Sequence, residues 1–268
     1  MKINRIILYL CRIGLAPIIL SALSTGCDTE SERSVNMVNP ADFPDPAMLR
    51  AAQFAENGQV SSAIEAARDV PGGLNFVSPT NNTLLLIAIR NDDVVTAQTL
   101  LAAGANPNIP SKRAPLAIAV SIGSFRLVET LLERGADPNG ADGSEAALWR
   151  AAFANRMDVA RLLVEHGAQV DRANADGQTP ALIAATANRF RMVDFLLAQG
   201  ASCTASSSGG YTIGYWAAGS RVPPASDEGK ARERVIGILR SAGCPWPPPD
   251  PSVVVAARAQ GAPSHLGR

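Results

Sequence analysis

The chain has 268 residues, and its 24 Lys and Arg residues balance its 24 Asp and Glu residues. A protein without net charge has no overall attraction to nucleic acid or to an anionic membrane surface, so no nucleic-acid-binding function is expected. Aromatic residues make up 5% of the chain, whereas hydrophobic residues make up 47%. This composition favours short, closely packed helices rich in Ala and Leu.

The first 26 residues have the pattern of a secretory signal peptide. Lys2 and Arg5 supply a positive start, residues 13–23 an apolar stretch, and residues 24–26 a small-residue cleavage region. The apolar stretch is too short to span a membrane comfortably. We therefore expect residues 1–26 to be removed during export.

Cys27 directly follows this leader. The run from Leu23 to Cys27 resembles a bacterial lipobox, in which the Cys is lipidated and begins the mature protein, although Ser24 stands where an aliphatic residue is usual. An uncleaved anchor stays open as one alternative. Asp28 is similar to the signal that retains lipoproteins in the inner membrane of enteric bacteria. The resemblance implies a lipid anchor on a membrane, with the inner membrane favoured, and a protein that faces the periplasm; plain periplasmic secretion is the other alternative.

Two segments of different composition lie between Cys27 and residue 80. Residues 28–45 are rich in Ser, Asn, Asp, Glu and Pro, so residues 27–45 are predicted to be a lipidated Cys followed by a flexible tether. Residues 49–75 then show apolar residues at helical spacing, as in Ala63 to Ala67. They look like a worn first copy of the repeat that follows.

A repeated pattern begins at Thr83. Each copy opens with a Thr- or Ala-led apolar run and reaches a Gly after a constant interval. The four blocks run from Thr83 to Gly104, Ala114 to Gly135, Ala146 to Gly167 and Thr179 to Gly200, and the two end residues are 21 positions apart in each case. A fixed internal period indicates stacked copies of one structural unit.

Each unit is predicted to contain a turn and two short helices. The hydroxyl of Thr179 caps the first helix, and Pro180 takes the first helical position, where its missing N–H costs nothing. Residues 190–197 show the apolar spacing of a second helix, which Gly200 ends in a left-handed conformation. Such a unit cannot bury its own apolar face, so the copies must stack.

The fullest copy of the motif runs from Asp176 to Ala201. It reads Asp-Gly, one residue, Thr-Pro, paired Ala, and later Leu-Leu, two residues and Gly-Ala. In this order it resembles the ankyrin repeat, and the Gly-to-Gly spacings of 31, 32 and 33 residues lie close to the period of that family. The resemblance covers residues 46–244 and implies an all-α solenoid of about six helix-turn-helix repeats that binds proteins without catalysis.

The last unit and the end of the chain depart from the pattern. Thr212 and Gly243 delimit a sixth unit of 31 residues, and its extra residues fall near 219–230, where Pro223 and Pro224 prevent a continuous helix. Atypical terminal repeats are expected in a solenoid. Residues 245–268 hold six prolines and are predicted to be a disordered tail, although its run of Val and Ala is apolar enough to add a short ordered piece.

Two cysteines remain once the leader is removed and Cys27 carries lipid. They are Cys203 and Cys244, and in an oxidising periplasm a leftover pair favours a disulfide. The alternative is that both are small buried residues, because Cys244 stands where other repeats have the Ala of Gly-Ala.

No residue pattern typical of catalysis or metal binding is recognisable. Of the two His residues, His265 lies in the predicted tail, and His166 precedes the helix-ending Gly167, where a polar residue is ordinary. No Cys/His cluster has the spacing of metal ligands. We expect no enzyme activity, small-molecule substrate, cofactor or metal.

The ankyrin resemblance implies one protein partner on the concave surface, which the turn tips and the exposed sides of the first helices form. Most residues that the repeat spacing assigns to it are polar, but Ile122 and Phe153 are not, and Trp149 and Arg150 replace the usual His and Leu. Exposed aromatic residues beside Arg are typical of interface hot spots. The predicted binding residues are Arg90, Arg113, Ile122, Glu145, Trp149, Arg150, Phe153, Asp176, Gln178 and Tyr211.

Two questions stay open at this level. Trp149 and Phe153 can equally be packed on each other or on a neighbouring helix. Small lipoproteins of this kind resemble immunity proteins that neutralise a toxin delivered to the periplasm, and they also resemble scaffold or accessory factors of an envelope or stress-response complex.

Replacing Cys27 by Ser tests the interpretation of the leader. Cys27→Ser should release the protein from membranes or leave an unprocessed precursor, because the lipid has no attachment point. Fractionation and N-terminal sequencing measure both. Wild-type protein that is soluble in the cytoplasm and begins at Met1 would show that residues 1–27 are neither a leader nor an anchor.

Overall fold

The computed structural model describes residues 38–109, 114–140 and 146–260. The predicted signal peptide, Cys27 and most of the predicted tether lie outside these ranges, as do two predicted binding residues, Arg113 and Glu145. Within them the chain folds into thirteen α-helices, none of which is both long and apolar enough to cross a membrane.

Twelve of these helices form six consecutive pairs, which we number as repeats 1 to 6. The pairs are α1 (Pro46–Glu56) and α2 (Val60–Ala67), α3 (Leu84–Arg90) and α4 (Val94–Ala102), α5 (Pro115–Ile122) and α6 (Phe125–Glu133), α7 (Ala147–Phe153) and α8 (Met157–Glu165), α9 (Pro180–Thr186) and α10 (Phe190–Ala198), and α11 (Ile213–Gly219) and α12 (Asp227–Ser241). One more helix, α13 (Pro251–Ala259), follows them. The predicted all-α solenoid of about six repeats is confirmed.

The ends of the helices follow from the residues that the repeat places there. Thr83, Thr179 and Thr212 each accept a hydrogen bond from the backbone N–H three residues later, at 3.1, 3.3 and 3.1 Å, as capping residues do. The Gly that closes each of repeats 2 to 5 has a φ between 82° and 101°, a left-handed conformation that other residues rarely adopt. Both predictions about the helix ends are therefore confirmed.

The repeats stack with first helix against first helix along the row from α1 to α11. One Ala, five residues after the capping position, recurs in the first helices of repeats 2 to 6. These residues are Ala88, Ala119, Ala151, Ala184 and Ala217, and all five are 0% exposed. Because a methyl group is small, neighbouring helices approach closely and the interior packs densely.

Side-chain amides tie each repeat to the next. Asn108 is representative: its Oδ1 accepts from the N–H of Asp137 at 2.8 Å, and its Nδ2 donates to the carbonyl oxygen of Gly135 at 2.8 Å. Asn75 and Asn139 make the same two bonds to the repeat that follows each of them, at distances between 2.7 and 3.4 Å. We call Asn75, Asn108 and Asn139 the asparagine ladder.

The equivalent position before repeat 5 carries a different side chain. Both carboxylate oxygens of Asp171 accept from the N–H of Ser202 at 3.0 Å. A carboxylate has no hydrogen to donate, so Asp171 gives no bond to the carbonyl of Gly200. The junction between repeats 4 and 5 therefore lacks a bond that the three preceding junctions have.

The end of the predicted tether belongs to the first repeat. Val38 and Phe43 are buried, and the ring of Phe43 lies 6.2 Å from that of Phe76. Asp45 then caps α1 by accepting two backbone hydrogen bonds. The prediction of a flexible tether is wrong for residues 38–45, because their apolar side chains cover the exposed end of the core.

Residues 245–260 of the predicted disordered tail are ordered, and residues 261–268 lie outside the described ranges. Val254 of α13 is buried, and the guanidinium of Arg258 donates to the carbonyl oxygens of Ser206 and Ser207 at 2.8 and 2.9 Å. The prediction over residues 245–268 is therefore wrong for residues 245–260. Its proline content is that of a disordered segment, but the contacts that order it come from residues about fifty positions earlier in the chain.

Cys203 and Cys244 are joined by a disulfide, with their Cα atoms 6.3 Å apart, a normal separation for such a bond. The two residues are 41 positions apart, and the loop between them contains both helices of repeat 6. Because Cys244 directly precedes the proline-rich segment, the bond also fixes the point from which that segment starts.

The missing rung gives a test of the ladder. Asp171→Asn supplies a donor for the carbonyl of Gly200 and should raise the free energy of unfolding by about 0.5–1.5 kcal/mol, the usual net value of one hydrogen bond. The converse change, Asn139→Asp, removes such a donor and should lower it by a similar amount. Urea unfolding measures both. Equal stability of the two variants would show that the ladder does not couple the repeats.

The disulfide gives a second test. Replacing Cys203 and Cys244 together by Ala should lower the free energy of unfolding by about 3–4 kcal/mol in the chain-entropy model, because the loop that they close is long. Hydrogen exchange should rise in α11 and α12 and stay unchanged in repeats 1 to 3, since each repeat contacts only its neighbours. Mass spectrometry that finds both thiols free to alkylate in exported protein would contradict the bond.

Candidate protein-binding site

Two aromatic rings stack at the end of α7. The ring centroids of Trp149 and Phe153 lie 5.7 Å apart and their planes differ by 11°. Trp149 is half-buried and also packs against the core, whereas Phe153 is 58% exposed. The two residues therefore pack on each other, and this contact still leaves Phe153 open to a partner.

Arg150 links this stack to the neighbouring repeat. Its Nη1 donates to Ser121 Oγ at 2.7 Å, which ties α7 to the end of α5. The next residue, Ile122, is 41% exposed. We call Ile122, Trp149, Arg150 and Phe153 the Phe153 surface. Exposed apolar groups beside a fixed guanidinium have the composition of an interface hot spot.

The turn beneath the Phe153 surface is held by a second Arg. Arg156 Nη1 donates to the carbonyl of Gly123 at 2.8 Å, so it bridges repeats 3 and 4. The same guanidinium pairs with Asp158 at 3.1 Å, and its hydrogen bonds hold the pKa of Asp158 below the ordinary value. These bonds position the helix end that carries Phe153.

A second aromatic group lies in repeat 6. Tyr211, Tyr215 and Trp216 contact one another with centroids 5.2 to 5.5 Å apart, and we call them the aromatic cluster. Tyr211 is among the binding residues predicted from the sequence, whereas Tyr215 and Trp216 are not. A usable signal was present, because Tyr215 lies three residues after the capping residue Thr212, as Trp149 does after Ala146.

Two protein-family models match the sequence. Both describe ankyrin repeats, one over residues 48–142 and the other over residues 148–197, and together they cover more than half of the chain. The chain is an ankyrin-repeat protein. A search of curated proteins found no match. Ankyrin repeats indicate a protein–protein interaction module, so the exposed side chains of the array are the natural place to look for the site.

The remaining predicted residues lie elsewhere on the ankyrin array. Arg90 is exposed and donates to Asn82, whose amide in turn donates to Asp42 at 2.8 Å. Asp176 is exposed at a turn tip. Gln178 is half-buried and accepts from a neighbouring Asn side chain at 3.2 Å within its own turn. These residues therefore do not form a single site together with the Phe153 surface.

Both Trp residues of the first-helix row have buried indole N–H groups. Nε1 of Trp149 and Nε1 of Trp216 have no hydrogen-bond acceptor among the described residues. A buried donor without a partner costs about 1–3 kcal/mol. Both indole N–H groups therefore reduce the stability that the two Trp residues give to the fold.

Metal ligands do not converge anywhere in the described ranges. No group of three His, Cys, Asp or Glu side chains there could hold a metal ion. The guanidinium groups of Arg150 and Arg156 are engaged with the neighbouring repeat, through Ser121 and the carbonyl of Gly123. What the described part of this surface offers a ligand is therefore an aromatic ring, an apolar side chain and a fixed positive charge.

Proposed function

We propose that this ankyrin array binds one protein partner through the Phe153 surface, on the concave side of the first-helix row, and catalyses no reaction. The observation that carries the proposal is the 58% exposure of Phe153 in a stack whose other member is anchored in the core. An anchored aromatic residue binds with little loss of conformational freedom, as hot-spot residues do.

The energetics of the free protein support the same proposal. The exposed part of the Phe153 side chain would gain roughly 25 cal/mol per Å² of apolar area once a partner covers it. Burial of Phe153 by a partner would therefore recover free energy that the fold leaves unused.

The location of the protein is a second part of the proposal. The leader of residues 1–26 and the lipobox-like Cys27 support a lipoprotein that is anchored to the inner membrane and faces the periplasm. Acyl chains on the mature N-terminus would hold the array at the bilayer. Fractionation of the Cys27→Ser variant tests this part independently of partner binding.

The third part of the proposal concerns the identity of the partner. We propose that it is a toxin delivered to the periplasm and that the array acts as its immunity protein, because binding without turnover is sufficient to block a toxin. Proteins captured by the array from envelope extracts decide the matter. If the captured proteins are the subunits of a stable envelope assembly and include no toxin, the immunity function is excluded and the scaffold function is supported.

Truncating the exposed ring tests the binding surface. Phe153→Ala should lower the free energy of unfolding by about 0.5–1.5 kcal/mol, the usual worth of an aromatic pair, because most of the side chain is exposed. It should weaken binding of the captured partner by roughly 30-fold, equivalent to about 2 kcal/mol. Thermal unfolding and titration of the partner measure the two effects.

Val95→Ala provides the matched control. Val95 is 69% exposed on α4, a second helix, so its removal should leave both stability and partner binding unchanged. A loss of about 3–5 kcal/mol of stability in Phe153→Ala would identify the residue as part of the core. Unchanged binding by a well-folded Phe153→Ala protein would exclude the Phe153 surface as the interface.

A further inference from the structure

The aromatic cluster of repeat 6 borders two open grooves. The larger, of about 860 Å³, runs from Asn188 of repeat 5 past Tyr215 and Trp216. The smaller, of about 570 Å³, lies beside Tyr211 and Tyr215. Tyr215 and Asp250 line both grooves, and Tyr211 and Tyr215 are 39% and 37% exposed. The cluster is therefore accessible from two sides.

The opposite wall of both grooves is the chain's own proline-rich segment. Pro247, Pro248 and Pro249 line the larger groove, and Pro251 and Val255 line the smaller one. The segment that was predicted to be disordered thus runs alongside the aromatic cluster. Proline and aromatic residues therefore line the same two grooves.

Repeat 6 has glycine at the two points where this segment crosses it. A Cβ at Gly214 would lie 3.3 Å from Cβ of Pro248, and a Cβ at Gly210 would overlap the carbonyl of Pro251 and lie 3.1 Å from its Cα. Repeats 2 to 5 carry larger residues in the place of Gly214, namely Leu85, Leu116, Leu148 and Ala181. Repeat 6 is therefore the unit whose sequence admits a proline-rich chain against its first helix.

Three further features keep the segment in place. The disulfide at Cys244 fixes its start, Val254 of α13 is buried, and Arg258 donates to the carbonyl of Ser206 and to Ser206 Oγ, both at 2.8 Å. The proline wall is thus a fixed part of the surface, and it leaves the larger groove open beside it.

Aromatic grooves that contact proline are typical of surfaces that recognise extended proline-rich peptides, because a polyproline II segment loses little conformational entropy on binding. We infer that the larger groove binds an extended proline-rich segment of a partner protein, next to the chain's own prolines. Pro247 to Pro249 line the same groove as Tyr215 and Trp216, so proline already lies beside the aromatic cluster in this structure. The inference concerns repeat 6 and does not depend on the Phe153 surface.

The far edge of the larger groove suits the backbone of such a peptide. Ser220 Oγ donates to Oδ1 of Asn188 at 2.7 Å, which orients the Asn188 amide there, and exposed Arg221 lies on the same edge. The carbonyl groups of a polyproline II segment have no internal hydrogen bonds. Asn188 and Arg221 supply donors for them, and a groove of this size is in the range of ligand sites.

Calorimetric titration of the full exported chain with a proline homopeptide of about ten residues, which is an extended polyproline II helix, tests the inference. We expect saturable binding, and a Gly-Ser peptide of the same length should give none. Tyr215→Ala should weaken binding at least about tenfold, because stacked aromatic residues are typical hot spots. Tyr215→Phe keeps the ring and should retain binding.

Phe153→Ala is the matched aromatic control and should bind the proline peptide like wild type. Absence of binding by wild type, equal binding by Tyr215→Ala, or equal binding of the Gly-Ser peptide would each overturn the inference. If the proline peptide binds while Phe153→Ala still captures the envelope partner normally, the inference stands and the proposed Phe153 interface fails. The two proposals are therefore separable.

Discussion

The stacking of the repeats depends on an Asn side chain that accepts one hydrogen bond and donates another at the same time. The side-chain oxygen of each Asn in the asparagine ladder accepts a backbone N–H of the following repeat. Its side-chain N–H donates to the carbonyl of the Gly that ends the second helix of that same repeat. Asn108 makes these bonds with Asp137 and Gly135. In all three cases the Gly that accepts the bond ends its helix in the left-handed conformation. Helix length, helix cap and repeat spacing are therefore coupled to one another. The Phe153 surface lies on the regular row of first helices that results.

The repeated part of the fold could be predicted because its causes are local. A Thr that caps, a Gly that ends a helix and a fixed interval between them are all visible within one unit. The two ends of the array depend on distant contacts. Nothing near Arg258 reveals that it will reach Ser206 and Ser207, and the composition of residues 245–260 pointed to disorder.

The candidate site was predictable in part for the same reason. The repeat spacing placed Trp149, Arg150 and Phe153 on the first-helix row, but it could not decide between stacking and exposure, since the structure has both. Tyr215 and Trp216 were missed because repeat 6 was treated as a cap. The glycine at position 214, where other repeats have a larger residue, was the sequence signal of a closely approaching chain.

The contact made by Arg258 also limits how this protein can change in length during evolution. Between repeats 5 and 6, the carbonyl of Asp176 accepts from the N–H of Ser208 at 2.7 Å. Beyond repeat 6, the guanidinium of Arg258 takes the place of such a donor. A unit duplicated after α12 would have to displace α13 from carbonyls that are already satisfied. A unit duplicated among repeats 2 to 4 would meet neighbours of its own kind on both sides, so lengthening by internal duplication is the route that the chemistry favours.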